Sequence, residues 1–147
     1  MTRRNESTSQ MLAVVVAGLA VVASTLLPWA TYENLVGTTT EFGSGSGGFL
    51  LAALAVASAC CALMGWARRS AILHRAGIAS AAACLVCAVA LWFAAIVSAN
   101  DASGAGGRTT HVSGAFVGLL GSLGLLISCS VLRRSVPDVQ PQGATTT

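Results

Sequence analysis

The chain has 147 residues, of which 54% are hydrophobic and only 9% charged. Soluble domains carry about 25% charged residues, so this composition excludes an ordinary water-soluble fold. A bilayer-spanning helix takes about 20 residues, so four spans with short connections use nearly the whole length and leave no room for a sizeable extramembrane domain.

The formal net charge is +3, and all eight basic side chains are arginine. They sit mostly in pairs beside apolar runs, which is where topology signals lie, so no nucleic-acid partner is expected. Arginine without lysine, in a chain rich in Ala, Gly and Val, points to a GC-rich bacterial genome.

In chain order, the apolar runs are Met11 to Ala30, Phe49 to Trp66, Ile78 to Ala99 and Gly114 to Leu132, and none contains Asp, Glu, Lys, Arg or His. At about 1.5 Å per residue such runs measure roughly 27 to 33 Å, the thickness of a hydrocarbon core. The expectation is therefore an all-α fold, a polytopic four-transmembrane-helix bundle. Residues 1–10 form a cytoplasmic tail, 11–134 one transmembrane domain with spans at about 11–30, 49–66, 78–99 and 114–132, and 135–147 a disordered cytoplasmic tail.

Direction follows from the arginines. Arg3 and Arg4 precede the first span, Arg68, Arg69 and Arg75 lie between the second and third, and Arg133 and Arg134 follow the fourth. The opposite side holds Arg108 with Glu33, Glu41 and Asp101. The positive-inside rule puts both termini in the cytoplasm and the chain in the plasma membrane as a multi-pass protein. Trp29, Tyr32, Trp66, Trp92 and Phe93 fall near span ends, at the interfacial depth that amphipathic rings favour. Pro28 falls in the last turn of the first span, where it tilts or ends the helix. The Arg3–Arg4 pair is not followed by the apolar residues or the cleavage site of an export signal.

The outer loops, Thr31 to Gly48 and Asn100 to Ser113, read as Gly- and Ser-rich flexible or tightly turning connections. Both lead into a span alike, through Ser46-Gly47-Gly48-Phe49 and Ser113-Gly114-Ala115-Phe116, and both of those spans finish in Arg-Arg-Ser. A duplicated hairpin would produce this pattern, although turn residues and arginine stop signals are common in membrane proteins, and the second reading is preferred.

Chemistry has few candidates. Cys60, Cys61, Cys84, Cys87 and Cys129 all lie inside spans, in the cytoplasmic half. Cys84 and Cys87 form a CxxC, but thiol exchange needs a pair near the oxidising face, and buried thiolates are costly without a metal. The structural reading, Cys as a small packing residue, is preferred. The spans carry no ionisable group of the kind that proton- or ion-coupled transporters place there. His74 and His111 lie on opposite sides and are read as solvated. Glu33, Glu41 and Asp101 meet, at most, across the outer face as a weak cation site. No catalytic residue, cofactor-binding residue or metal ligand is assigned, and the chain is read as non-enzymatic.

Helix packing gives the clearest signal. In the fourth span Gly114, Gly118 and Ser122 recur every four residues, and Gly121, Gly124 and Ser128 broaden the strip. Small residues at this spacing let backbones approach closely. The strip serves either internal packing, which is preferred, or association of the fourth span with another membrane protein or with itself.

Leu27-Pro28-Trp29, Gly47-Gly48-Phe49 and the stretch Gly118 to Leu126 resemble the small four-span membrane proteins of unknown function that are abundant in actinobacteria. The resemblance covers most of residues 11–134 and implies the fold and a bacterial origin, with no activity. Where many of those proteins open the last span with a Gly-Leu-Trp-like sequence, this chain has Ala115-Phe116-Val117. Claudin-like proteins also have four spans and an outer-loop tryptophan, but their loop cysteine pair is missing here.

The sequence thus supports three functional expectations, in order. The first is an accessory or assembly subunit of an envelope complex acting through helix contacts. The second is a small transporter or lipid-binding protein with a cavity lined by Ser24, Thr25, Ser58, Ser80 and Ser98. The third is a thiol-redox or metal protein using Cys84 and Cys87.

Overall fold

The computed structural model describes residues 2–34, 37–42, 46–104, 108–110 and 113–134. Four helices account for most of them: α1 (Thr2–Ser24), α2 (Ser46–Arg68), α3 (Ala71–Gly104) and α4 (Ser113–Arg134). Three strands, β1 (Pro28–Asn34), β2 (Gly37–Phe42) and β3 (Arg108–Thr110), form one antiparallel sheet in the order β2-β1-β3. Three helical stretches are long and apolar enough to cross a membrane, Gly47–Arg68, Ala71–Val97 and Gly114–Arg133, and the apolar part of α1, Thr8–Ser24, is shorter.

The helices run alternately up and down and pack in a ring, α1 on α2, α2 on α3, α3 on α4 and α4 back on α1, with α2 also touching α4. One end of the ring carries the sheet. At the other lie Arg3 and Arg4 near the start of α1, Arg68 and Arg69 after α2, Arg75 in the first turns of α3, and Arg133 and Arg134 closing α4.

The interior is built from small and medium side chains: Val14, Val21, Leu51, Ala55, Ala62, Ala81, Cys84, Leu125, Cys129 and Leu132 are almost completely buried. Large apolar side chains point outward instead, among them Leu12, Leu19, Phe49, Ile72, Phe93, Phe116, Leu120 and Ile127. Water would penalise that arrangement at about 25 cal/mol per Å² of apolar surface, whereas lipid tails would not.

Several boundaries differ from expectation. The first helix begins at Thr2 and ends at Ser24, so residues 2–10 are helical and Pro28 opens a strand. The end is made by the chain itself. Thr25, Leu26 and Leu27 donate back to the carbonyls of Val22, Ala23 and Ser24 in a tightening turn, and the Ser24 and Thr25 hydroxyls donate to Val21 and Val22 at 2.6 and 2.7 Å. Those bonds use carbonyls a continuing helix would need.

The connection between α1 and α2, expected as the first outer loop, forms a hairpin, with Glu33 opposite Thr38 and Asn34 opposite Gly37. β3, from the second loop, adds to its other edge, with Tyr32 opposite Thr109. The loops expected as flexible connections are thus partly ordered as a sheet, in which β-branched Thr residues suit the pleat. The third helix starts at Ala71, seven residues before the expected span, and only Arg69 and Ser70 separate it from α2. The tail from residue 135 lies outside the described residues.

Candidate functional site

The small-residue strip of α4 is occupied from within. A Cβ added to Gly114 would meet the Trp29 ring at 2.6 Å, one on Gly118 the Ser24 Oγ at 3.0 Å, one on Gly121 Val21 Cγ2 at 2.9 Å, and one on Gly124 the Ala17 Cβ at 3.7 Å. Gly114, Gly118 and Gly121 therefore allow α1 and the first residues of β1 to lie directly against α4. Ser122 is buried and donates to the Gly118 carbonyl at 2.7 Å, and Ser128 is half-buried. Trp29, only 8% exposed, seats its ring over Gly114 and donates from Nε1 to the Ser24 carbonyl at 2.7 Å. It locks the end of α1 to α4, a role different from the interfacial anchor read from its position.

The hydroxyls that a polar cavity would need are already used. Ser58 Oγ donates across the helix pair to the Gly77 carbonyl at 2.8 Å, and Ser80 Oγ to the Leu54 carbonyl at 3.1 Å. Ser24 and Thr25 are closed on their own helix, and the side chain of Ser98 is outside the described set. Such bonds between helices act as polar glue where no water competes.

The thiols join the same system. Cys84 Sγ lies 3.5 Å from Ser122 Oγ and 3.7 Å from the Leu51 carbonyl, and Cys129 Sγ lies 3.7 Å from Ser58 Oγ. All five cysteines are free, with Cys84 and Cys129 buried, Cys61 and Cys87 half-buried and Cys60 exposed. Among the described residues no three His, Cys, Asp or Glu side chains gather in a group that would hold a metal ion.

Of the acidic residues expected at this end, Glu33 lies opposite Thr38 on one side and Arg108 on the other in the register, and Glu41 opposite Ala30. Asp101 lies in the last turn of α3. His111 is outside the described residues.

The arginine end holds what the sequence reading missed. His74, expected in solvent, is only 2% exposed, and neither ring nitrogen has a hydrogen-bond partner. Its backbone N lies 2.9 Å and its ring 3.2 Å from where a Gly65 Cβ would be, so Gly65 lets α3 come close enough to cover the ring. Gly77 makes the matching approach to Ala62 and Ser58. The pair Gly65 and Gly77, flanking a short connection, is the sequence signal that would have found this crossing. Arg133, at the end of α4, is close enough to the imidazole to act on it electrostatically.

Arg69 has a φ of 50°, the left-handed region where Gly is favoured. Arg69 N donates to the Trp66 carbonyl at 3.3 Å and Ser70 N to the Gly65 carbonyl at 3.0 Å, the Schellman pattern that ends a helix. Ser70 then caps the next helix: the Leu73 N–H reaches its Oγ at 3.5 Å and the His74 N–H its carbonyl at 3.2 Å. Set against known protein families, curated proteins and solved structures, the chain matches none of them.

Proposed function

We propose that the chain is a non-enzymatic integral membrane protein, an accessory or assembly subunit that works by packing against a partner helix in the plane of the bilayer. The observation that carries this reading is the outward face of α3. There Ala76, Ala79, Ala83, Val86, Ala90, Phe93 and Val97 are all exposed, at alternating steps of three and four that give a heptad repeat, with Ala76, Ala83 and Ala90 seven apart. The outward face of α4 is bulky throughout, with Phe116, Leu120, Leu123, Ile127 and Val131. Of the three long apolar helices, α3 is also the least enclosed. Small residues on a helix surface are where a second helix gains close van der Waals contact. The strip of α4 meets α1, so the partner contact passes to α3.

In this reading the chain crosses the plasma membrane of a bacterium four times, α1 included, with both termini in the cytoplasm. Seven of the eight arginines at one end of the ring support that direction. The sheet then lies on the outer face.

The test is affinity purification of a tagged chain from its native membrane in mild detergent, alongside the variants Ala83→Leu and Ala90→Leu. A stoichiometric companion that both variants lose supports the reading. A chain that purifies alone, or a companion indifferent to both substitutions, overturns it.

A further inference from the structure

The arginine end concentrates positive charge. Along the described chain this end carries seven arginines against one acidic residue, Glu6, and Arg68, Arg69, Arg75 and Arg133 are exposed. The N-terminus of α3 lies in their midst with no acidic residue in its first turn. A helix start carries about half a positive charge on N–H groups that lack intrahelical acceptors. Ser70 satisfies those of Leu73 and His74, which leaves Ala71 and Ile72 at the open end.

One further feature points to an anion. His74, in the first turn of α3 and next to Arg75 in the chain, is buried with both ring nitrogens unpartnered, and a neutral imidazole always has one N–H to donate.

We propose that the α2–α3 turn and the end of α4 bind the phosphate of an anionic phospholipid headgroup in the cytoplasmic leaflet. The first N–H groups of α3 and the guanidiniums of Arg69, Arg75 and Arg133 receive the phosphate oxygens. His74, in the first turn of the same helix, is the buried polar side chain left without a partner at this end among the described residues. The occupant is a lipid because the cluster lies at the end of apolar helices, at the depth of the headgroup layer, and the cytoplasmic leaflet is rich in anionic lipid. The proposal rests on the chain spanning the membrane with this end inside. It does not depend on a partner helix.

The experiment is native mass spectrometry of the purified chain in neutral-detergent micelles, titrated with dioleoyl phosphatidylglycerol, with dioleoyl phosphatidylcholine, or with phosphatidylglycerol in the presence of millimolar inorganic phosphate. The first phosphatidylglycerol is expected to bind about tenfold tighter than phosphatidylcholine. Arg69→Gly, Arg75→Gln and Arg133→Gln should each weaken it about fivefold, the usual effect of one arginine near an anionic surface, while Arg108→Gln at the sheet end leaves it unchanged. Arg69→Gly is decisive because Gly suits its backbone, so loss of binding there is not loss of fold. Equal binding of the two lipids, undiminished binding in Arg69→Gly, or ready displacement by inorganic phosphate would each overturn the proposal, the last by showing a soluble anion as the occupant. Labelling of a Ser70→Cys chain by impermeant maleimide on intact cells would instead count against the orientation on which the proposal rests.

Discussion

Gly121 and Gly124 stand about one turn apart on α4 and both look onto α1, yet the same substitution should act oppositely at the two. An added Cβ at Gly121 lies 2.9 Å from Val21 Cγ2 and 3.1 Å from the Val21 backbone N, whereas at Gly124 it lies 3.7 Å from the Ala17 Cβ. Carbon atoms rest at about 3.5 to 4.0 Å. Gly121→Ala therefore has to push α1 away by several tenths of an ångström against its own backbone, and Gly124→Ala makes an ordinary contact. Replacing Gly by Ala in a helix gains about 1 kcal/mol at either position, so that gain cancels when the variants are compared. What remains is the overpacking cost at Gly121, about 1 to 3 kcal/mol. The assay is unfolding by sodium dodecyl sulfate titrated into neutral-detergent micelles, followed by tryptophan fluorescence. Gly124→Ala should unfold at or above the parent and Gly121→Ala well below Gly124→Ala. Indistinguishable midpoints, or the reverse order, would refute the close approach of α1 and α4.

Ser58→Ala removes the bond from α2 to the Gly77 carbonyl and the Cys129 contact, and should cost about 1 kcal/mol in the same titration. His74→Leu removes the unpartnered nitrogens at similar volume and should raise stability in lipid-free micelles by about 1 to 3 kcal/mol; a lower midpoint would show that the ring has a partner within the protein. Maleimide should modify Cys60 before Cys84 and Cys129 in the folded chain, and all five thiols after denaturation, as read by intact mass. A cysteine replacing Thr39 in β2 should react with an impermeant maleimide on intact cells, and one replacing Ser70 only after permeabilisation; the opposite result inverts the topology.

The helices were readable because each is a long run without charge, and hydropathy alone locates such runs. Their ends were not, since ends depend on single contacts. Leu27, Pro28 and Trp29 are apolar enough to extend the first run, but hydrogen bonding by Ser24 and Thr25 stops the helix and Trp29 turns back onto Gly114. The segment from Ala71 to Gly77 looked like a loop because of Arg75 and His74. In the fold it is helical, with Arg75 on the exposed side and His74 on the buried one. The strip on α4 was legible as a packing surface, and the structure supplies its partner, α1. The sheet was the least legible element. Its signal, the run Thr38 to Thr40, sits among Gly and Ser residues that read as flexibility, and the pairing of β1 with β3 spans 75 to 79 residues, a separation that no local pattern encodes.

The contact between α1 and α4 joins the first of these helices to be synthesised with the last. Until Gly114, Gly118 and Gly121 emerge, the face of α1 holding Val21 and Ser24, with Trp29 just beyond it, has no counterpart of its own. β3 cannot complete the sheet until its own segment arrives between α3 and α4. The molecule therefore closes in time as it closes in space, with the ring and the sheet sealed in one late step. A chain halted before α4 would be left as an open arc, with the α1 face that Gly114, Gly118 and Gly121 cover still bare.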